Sequence, residues 1–223
     1  MKQEDYPGLT VLHDVFPHQV KALLTIIRDW TTDRRKFIFH SDRLIRLLIE
    51  QALEFLPVSP KTVVTPLNVD YEGVKFDGRI CAVPILRAGL SMERAVREVC
   101  DKIRLGHVLV QRNETTAEPV FIYDKFPPDI KDRYVLILDP MLATGGSVLS
   151  TIKVILDQGV PEDKILFVNL VSCWAGIARV FAEHPNIRII TAEVDPDLDE
   201  RSYIVPGLGD FGDRYMGTVV GPE

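Results

Sequence analysis

Hydrophobic and polar positions change their period once along this chain. Up to about residue 55 the apolar residues recur at helical spacing. Leu44, Leu47, Leu48, Ala52 and Phe55 fall on one face, and Arg43, Arg46, Glu50 and Glu54 on the other. Two helices are predicted in this part, the second closed by Leu56-Pro57. Residues 1–20, punctuated by Pro7, Gly8 and Pro17, read as an extended N-terminal segment. From about residue 60, short β-branched or apolar runs alternate with helix-like segments. Strands are predicted over 79–86, 106–111, 134–138, 165–171 and 187–194, with helices over 91–102, 147–158 and 174–183. Near-continuous apolar strands separated by helices require a parallel sheet flanked by helices on both faces, an α/β fold in a single domain over 1–223.

One interval breaks that rhythm. Between Gln111 and Tyr134 there is no helical pattern, only the run from Glu118 to Phe126 ahead of Pro127-Pro128. Residues 113–132 are therefore predicted to form a projecting β-arm. Its Val120, Phe121, Ile122 and Tyr123 need a covering surface, and a second subunit supplies one, which implies a homodimer or homotetramer.

Composition narrows the class. A chain of 223 residues with 46% hydrophobic and 26% charged residues has an ordinary globular balance and enough length for its own core. A net charge of −6 opposes general nucleic-acid binding, which rests on excess Lys and Arg. No apolar run approaches the roughly 20 residues needed to cross a bilayer. The acidic start, Met1 to Asp5, lacks the apolar stretch of a signal peptide. Cys81, Cys100 and Cys173 are odd in number and without CxxC spacing, so they read as reduced core thiols of a cytoplasmic protein. The five histidines show no metal-ligand spacing, and no protein ligand for a metal is assigned.

The strongest chemical signal runs from Val135 to Ser147. A buried strand delivers Asp139 to its carboxyl end, and Pro140, Met141, Leu142 and Ala143 lead into Thr144-Gly145-Gly146-Ser147 at a helix start. The two glycines let backbone N–H groups close around a phosphate, the helix dipole favours its charge, and Thr144 and Ser147 add hydroxyls. A carboxylate nearby can accept hydrogen bonds from sugar hydroxyls, so the segment describes a site for a phosphorylated ribose. The alternative is a plain connection with Ser147 as helix cap.

Two arginines, Arg87 after the 79–86 strand and Arg112 after the 106–111 strand, end at the same sheet edge. Their planar guanidinium groups suit a polyanion. Near the C-terminus, Gly207-Leu208-Gly209-Asp210-Phe211-Gly212 fits G-x-G-x-x-G. The sequence given has only 11 residues beyond Gly212, too few for the helix and ribose-binding acid that a dinucleotide site needs.

The run Asp139-Pro140-Met141-Leu142-Ala143-Thr144-Gly145-Gly146-Ser147 resembles the phosphoribosyl pyrophosphate loop of type I phosphoribosyltransferases, and of uracil phosphoribosyltransferases in particular. Pro84 to Gly89, Arg112 to Thr116 and Tyr203 to Arg214 carry the resemblance further. It implies that Arg87, Arg112, residues 139–147 and Asp210 bind phosphoribosyl pyrophosphate. It also implies that Ile204, Gly209, Asp210 and Phe211 bind uracil within a C-terminal region, 195–223. Asp139, Arg112 and Asp210 are then the catalytic candidates, with Asp210 a base or orienter. The implied reaction yields UMP and pyrophosphate, with Mg²⁺ carried mainly by the substrate. GTP enters as an effector, with the basic run Trp30 to Lys36 as one contact for it or for a neighbouring subunit, the alternative being a solvated turn. Two positions depart from the family pattern: Asp197 stands where relatives carry glycine, and Asn113 where they carry aspartate. A phosphoribosyltransferase for another base, an RNA-binding regulator and an inactive interaction subunit remain rival readings of the same residues.

Overall fold

The computed structural model describes residues 2–112 and 119–218, with backbone alone for 111, 112 and 119–121. In chain order the elements are β1 (Leu9–Val11), α1 (Leu12–Val15), α2 (Pro17–Arg28), α3 (Arg34–Leu53), β2 (Val58–Val64), β3 (Asp70–Phe76), β4 (Ile80–Leu86) and α4 (Leu90–Val99). There follow β5 (Arg104–Leu105), β6 (His107–Arg112), β7 (Pro119–Lys125), β8 (Tyr134–Leu138), β9 (Met141–Leu142), α5 (Gly146–Asp157) and β10 (Ile165–Cys173). The chain closes with α6 (Trp174–Glu183), β11 (Arg188–Asp195), β12 (Asp197–Leu198), β13 (Ile204–Val205) and α7 (Phe211–Met216).

The main sheet runs β1–β11–β10–β8–β4–β6–β7, with β5 beside β4 and β9 beside β10. Its pairings are parallel except for β6 with β7. Every residue of β10 is buried, as a central strand covered on both faces must be. One apolar layer joins α2, α3 and α4 to the sheet and takes in Ile204, Leu208 and Phe211; the other seats α5 and α6 on the opposite face. The predicted α/β fold is the one observed.

Two expectations need correction. Residues 1–20 are not an extended segment: β1 pairs with β11, and α1 and α2 follow it. Pro17 starts α2 at its first turn, where the missing N–H has no helical partner to lose. The second correction concerns the bounds of the arm. β7 lies antiparallel along β6, so the strand pair of a hairpin is present, but it ends at Lys125, and Ile130–Asp132 is a 3₁₀ turn. Ile122 and Tyr123 are about half exposed, whereas residues 113–118 and the side chains of Val120 and Phe121 lie outside the described residues.

Two short ribbons stand apart from the main sheet, β12–β13 and the longer β2–β3 hairpin over 58–76. Most residues of that hairpin are exposed on both faces. The basic run before α3 is a helix entry. Asp33 caps the helix by accepting from the Lys36 amide at 2.9 Å, and Arg34 Nε donates to the Tyr215 carbonyl at 3.0 Å. All three cysteines are free, and burial pushes the Cys81 thiol up to about 12. Among the described residues, no helix is long and apolar enough to cross a membrane.

Candidate active site

The strand ends β4, β8 and β11 bring their following loops to one edge of the sheet. Leaving β8, the Asp139 amide donates to the Val168 carbonyl at 3.4 Å, and Asp139 Oδ1 accepts from the Met141 amide at 3.5 Å. Pro140 is buried. Its carbonyl accepts from both Leu170 (2.9 Å) and Val171 (3.1 Å), which fixes the turn onto β10. Pro140 therefore shapes the loop from behind.

From Asp139 to Val148 the chain wraps a small cavity of about 40 Å³. Gly145 caps α5 with φ +81°, a left-handed conformation that glycine adopts without a Cβ penalty. Ser147 lies inside the first turn of α5 and is not its cap; Gly145 is. A twelve-residue helix that begins on a left-handed glycine, with no capping side chain, is the kind of helix start that can bind an anion through its first-turn amides.

Asp139, Met141 and Ala143 also line a larger cleft of about 440 Å³, so the two cavities share a wall. Ile204, Gly209, Asp210 and Phe211 form its other side. Ile204 is buried and supplies an apolar surface. The Phe211 ring, 1% exposed, packs into the core against Phe37 and Tyr215, so what this residue offers the cleft is main chain. Asp210 is exposed and caps α7, accepting from the Asp213 amide at 2.8 Å.

Arg87 follows β4 through a cis Leu86–Arg87 peptide bond. Its side chain is 64% exposed and pairs with Asp213 at 3.4 Å, beside the cleft; Ala88, next to it, lines the cleft. The Arg112 backbone ends β6, and its side chain lies outside the described residues. Arg201, Ser202 and Tyr203 line the cleft too. Sequence reasoning takes in Tyr203 only as part of a motif and does not single out Arg201 or Ser202; all three lie between the paired strands of the β12–β13 ribbon. Asp197 pairs with Val205 in that ribbon; the non-glycine in the left-handed region here is Ser202. Aspartate in place of the family glycine is thus accommodated as ordinary strand.

Among the described residues, no group of three or more His, Cys, Asp or Glu is arranged to hold a metal ion. The architecture is one phosphate-sized cradle opening into one base-sized cleft, at the carboxyl edge of a mostly parallel sheet. This defines a site for a phosphorylated sugar and a second small molecule.

A family model described as uracil phosphoribosyltransferase matches residues 16–218. Uracil phosphoribosyltransferase 1 of Schizosaccharomyces pombe is 52% identical over 201 residues, covering 90% of this chain and 92% of that protein. The uracil phosphoribosyltransferase of Saccharomyces cerevisiae is 50% identical over 215 residues, covering 96% and 99%. The solved structure of the AQ2163 protein of Aquifex aeolicus superposes with a TM-score of 0.81 at 30% identity, covering 95% of this chain and 99% of that one. This chain belongs to the uracil phosphoribosyltransferase family.

Proposed function

We infer that this protein transfers the phosphoribosyl group of phosphoribosyl pyrophosphate to uracil, giving UMP and pyrophosphate, a pyrimidine-salvage step. The observation that carries the reading is the wall shared by the two cavities at Asp139, Met141 and Ala143, which joins a phosphate cradle to a base cleft. In the reaction the C1′–oxygen bond to pyrophosphate breaks with its electron pair, and uracil N1 bonds to C1′ as it loses its proton. The amides and hydroxyls of 144–147 hold the 5′-phosphate, Asp139 orients the ribose hydroxyls, and the base is held between Ile204 and the main chain of 209–211. Arg87, on releasing Asp213, and Arg112 neutralise the departing pyrophosphate. Asp210 orients the base or receives its proton.

Mg²⁺ is proposed as a substrate-borne ion that neutralises phosphate charge. The cleft offers the single carboxylates Asp139 and Asp210, a donor set suited to an ion already held by pyrophosphate oxygens. A turnover assay with labelled uracil and phosphoribosyl pyrophosphate, with and without Mg²⁺, tests the reading. Absence of UMP in both conditions would overturn it.

Homo-oligomerisation is proposed through the β2–β3 hairpin. On one face, cross-strand pairs Val58/Phe76 and Pro60/Val74 stack apolar side chains; on the other, Val63 faces Tyr71. Val58, Phe76, Val74 and Tyr71 are all more than half exposed. A two-stranded ribbon bare on both faces is marginal in water, and a second copy would cover it. Sedimentation at micromolar concentration tests this, and an active monomer would sink it. Cytoplasmic location is supported by the free thiols Cys81, Cys100 and Cys173, and fractionation would check it. GTP as an effector rests on the family resemblance, and equilibrium dialysis with GTP tests it.

A further inference from the structure

The base loop carries almost no regular secondary structure between Val205 and Asp210, yet its backbone is held on several sides by side chains from distant segments. Asp195, at the end of β11, is 4% exposed and accepts from the Gly207 amide at 2.9 Å. Arg28, at the end of α2, donates to both carboxylate oxygens of Asp195, at 2.7 and 2.8 Å. The same guanidinium donates to the Gly207 carbonyl at 2.7 Å. Both polar backbone groups of one glycine are therefore bound by a single ion pair. Gly207 has φ +56°, and a β-carbon there would collide with the Ile204 carbonyl oxygen, so no other residue fits the clamp.

A second arginine runs the opposite way. Arg214, on α7, donates to the Leu208 carbonyl (2.7 Å), the Ile27 carbonyl (2.6 Å) and the Asp29 carbonyl (2.9 Å). Its guanidinium lies 4.2 Å from the centre of the Phe37 ring, and burial lowers its pKa. The carboxyl end of α2 and the loop at 207–208 are thus stapled reciprocally. Arg28 reaches from the helix to the loop, and Arg214 reaches from beyond the loop back to the helix.

We propose that Arg28, Asp195 and Arg214 are positioning residues for the base: they set where the main chain of 209–211 stands, and so govern uracil affinity and base selectivity. The inference rests on the uracil-transfer reading above. None of the three lines the cleft, so they act through the loop. Main-chain recognition leaves no side-chain rotamer to adjust, and a small displacement of the amides is felt directly in base binding. The phosphate cradle is built on β8 and α5, on other hydrogen bonds, and is not part of this clamp. Only a planar fork can serve two carboxylate oxygens and a carbonyl together, which lysine does not reproduce.

The test compares wild type with Arg28→Lys, Arg214→Lys, Arg28→Gln, Asp195→Asn and the double variant Arg28→Gln/Asp195→Asn. Wild-type turnover of uracil is measured first, and its absence would overturn the functional reading, not the clamp alone. With turnover present, Arg28→Lys and Arg214→Lys are expected to raise the KM for uracil roughly 10-fold or more. The KM for phosphoribosyl pyrophosphate should stay within about 3-fold, and the uracil-to-cytosine preference should shrink. If Arg28→Gln or Asp195→Asn fails to fold alone, the double variant, which replaces the ion pair by a neutral amide pair, is expected to recover folding and part of the uracil affinity. Equal changes in both KM values, or unchanged uracil KM and selectivity in folded Arg28→Lys and Arg214→Lys, would overturn the proposal.

Discussion

Phe211 packs its ring against Phe37 in a tilted pair, at a centroid distance of 5.2 Å and an angle of 54°, while the same residue lines the cleft. Core and site therefore meet in one residue. Phe211→Ala should remove a fully buried ring from the layer that also holds Leu208 and Ile204, at a cost of about 3–5 kcal/mol. Denaturant unfolding checks the stability, and steady-state kinetics on the folded fraction should show a raised KM for uracil. A stability change below about 1 kcal/mol would contradict the packing role.

Asp139→Asn preserves shape at a strand end, so folding should survive. The carboxylate proposed to orient the ribose becomes an amide, and kcat/KM should fall ~10-fold to ~1000-fold, about 1.4–4 kcal/mol. Wild-type turnover in the folded variant would remove Asp139 from the reaction.

Arg87 illustrates how a site residue can be placed without being engaged. Its pairing with Asp213 is exposed and contributes about 0–1 kcal/mol, so Arg87→Ala should leave stability nearly unchanged. Turnover should drop much more than affinity for UMP, which carries no pyrophosphate, and Arg87→Lys should recover only part of the rate. Calorimetric titration with UMP beside turnover assays separates these effects. Matched losses in both would point to a structural defect.

The sheet and the strand–turn–helix around 139–147 were legible because their signal is local. β8 and β10 are unbroken apolar runs, and the loop's glycines sit directly between strand and helix. The β2–β3 hairpin escaped because it has no buried face to impose alternation. Lys61, Asp70, Glu72 and Lys75 interrupt its β-formers. Over 113–132 the missing helical pattern announced the antiparallel β6–β7 pair, and Pro127-Pro128 follows its last strand. The base-loop clamp was invisible for another reason. Arg28 and Asp195 are 167 residues apart, and nothing in either local pattern announces the partner. Asp210 was singled out as a site candidate, but its capping of α7 depends on where that helix begins.

Asp129 makes a prediction about acid. It accepts from Arg133 at 2.9 and 2.8 Å and from Arg104 at 3.0 Å, and the Arg133 hydrogen bonds, foremost, hold its pKa near about 2, below the ordinary 3.8. A depressed carboxyl stabilises the fold fully above its unfolded value, and that contribution is lost as pH falls from about 4 towards 2. Asp129→Asn should lower Tm at pH 7, and the gap from wild type should narrow between pH 4 and pH 2. A gap that stays constant or widens on acidification would refute the assignment.

Base choice gives the most direct test of the proposed main-chain recognition. Uracil presents acceptor, donor and acceptor at O2, N3–H and O4, whereas cytosine carries an amino donor in place of O4. With the Phe211 ring committed to the core, an amide of the 209–211 backbone is the group left to meet O4. Against cytosine that amide would face another donor and lose its partner, at roughly 1–3 kcal/mol. Discrimination should therefore reach ~10–100-fold in kcat/KM, while 5-fluorouracil, which keeps the same edge, should be accepted. Hypoxanthine should fail, because a fused second ring has to fit between Ile204 and a loop pinned at Gly207 and Leu208. Measuring kcat/KM for the four bases decides the matter. Equal values for uracil and cytosine would refute main-chain readout, and a preference for hypoxanthine would overturn the proposed substrate.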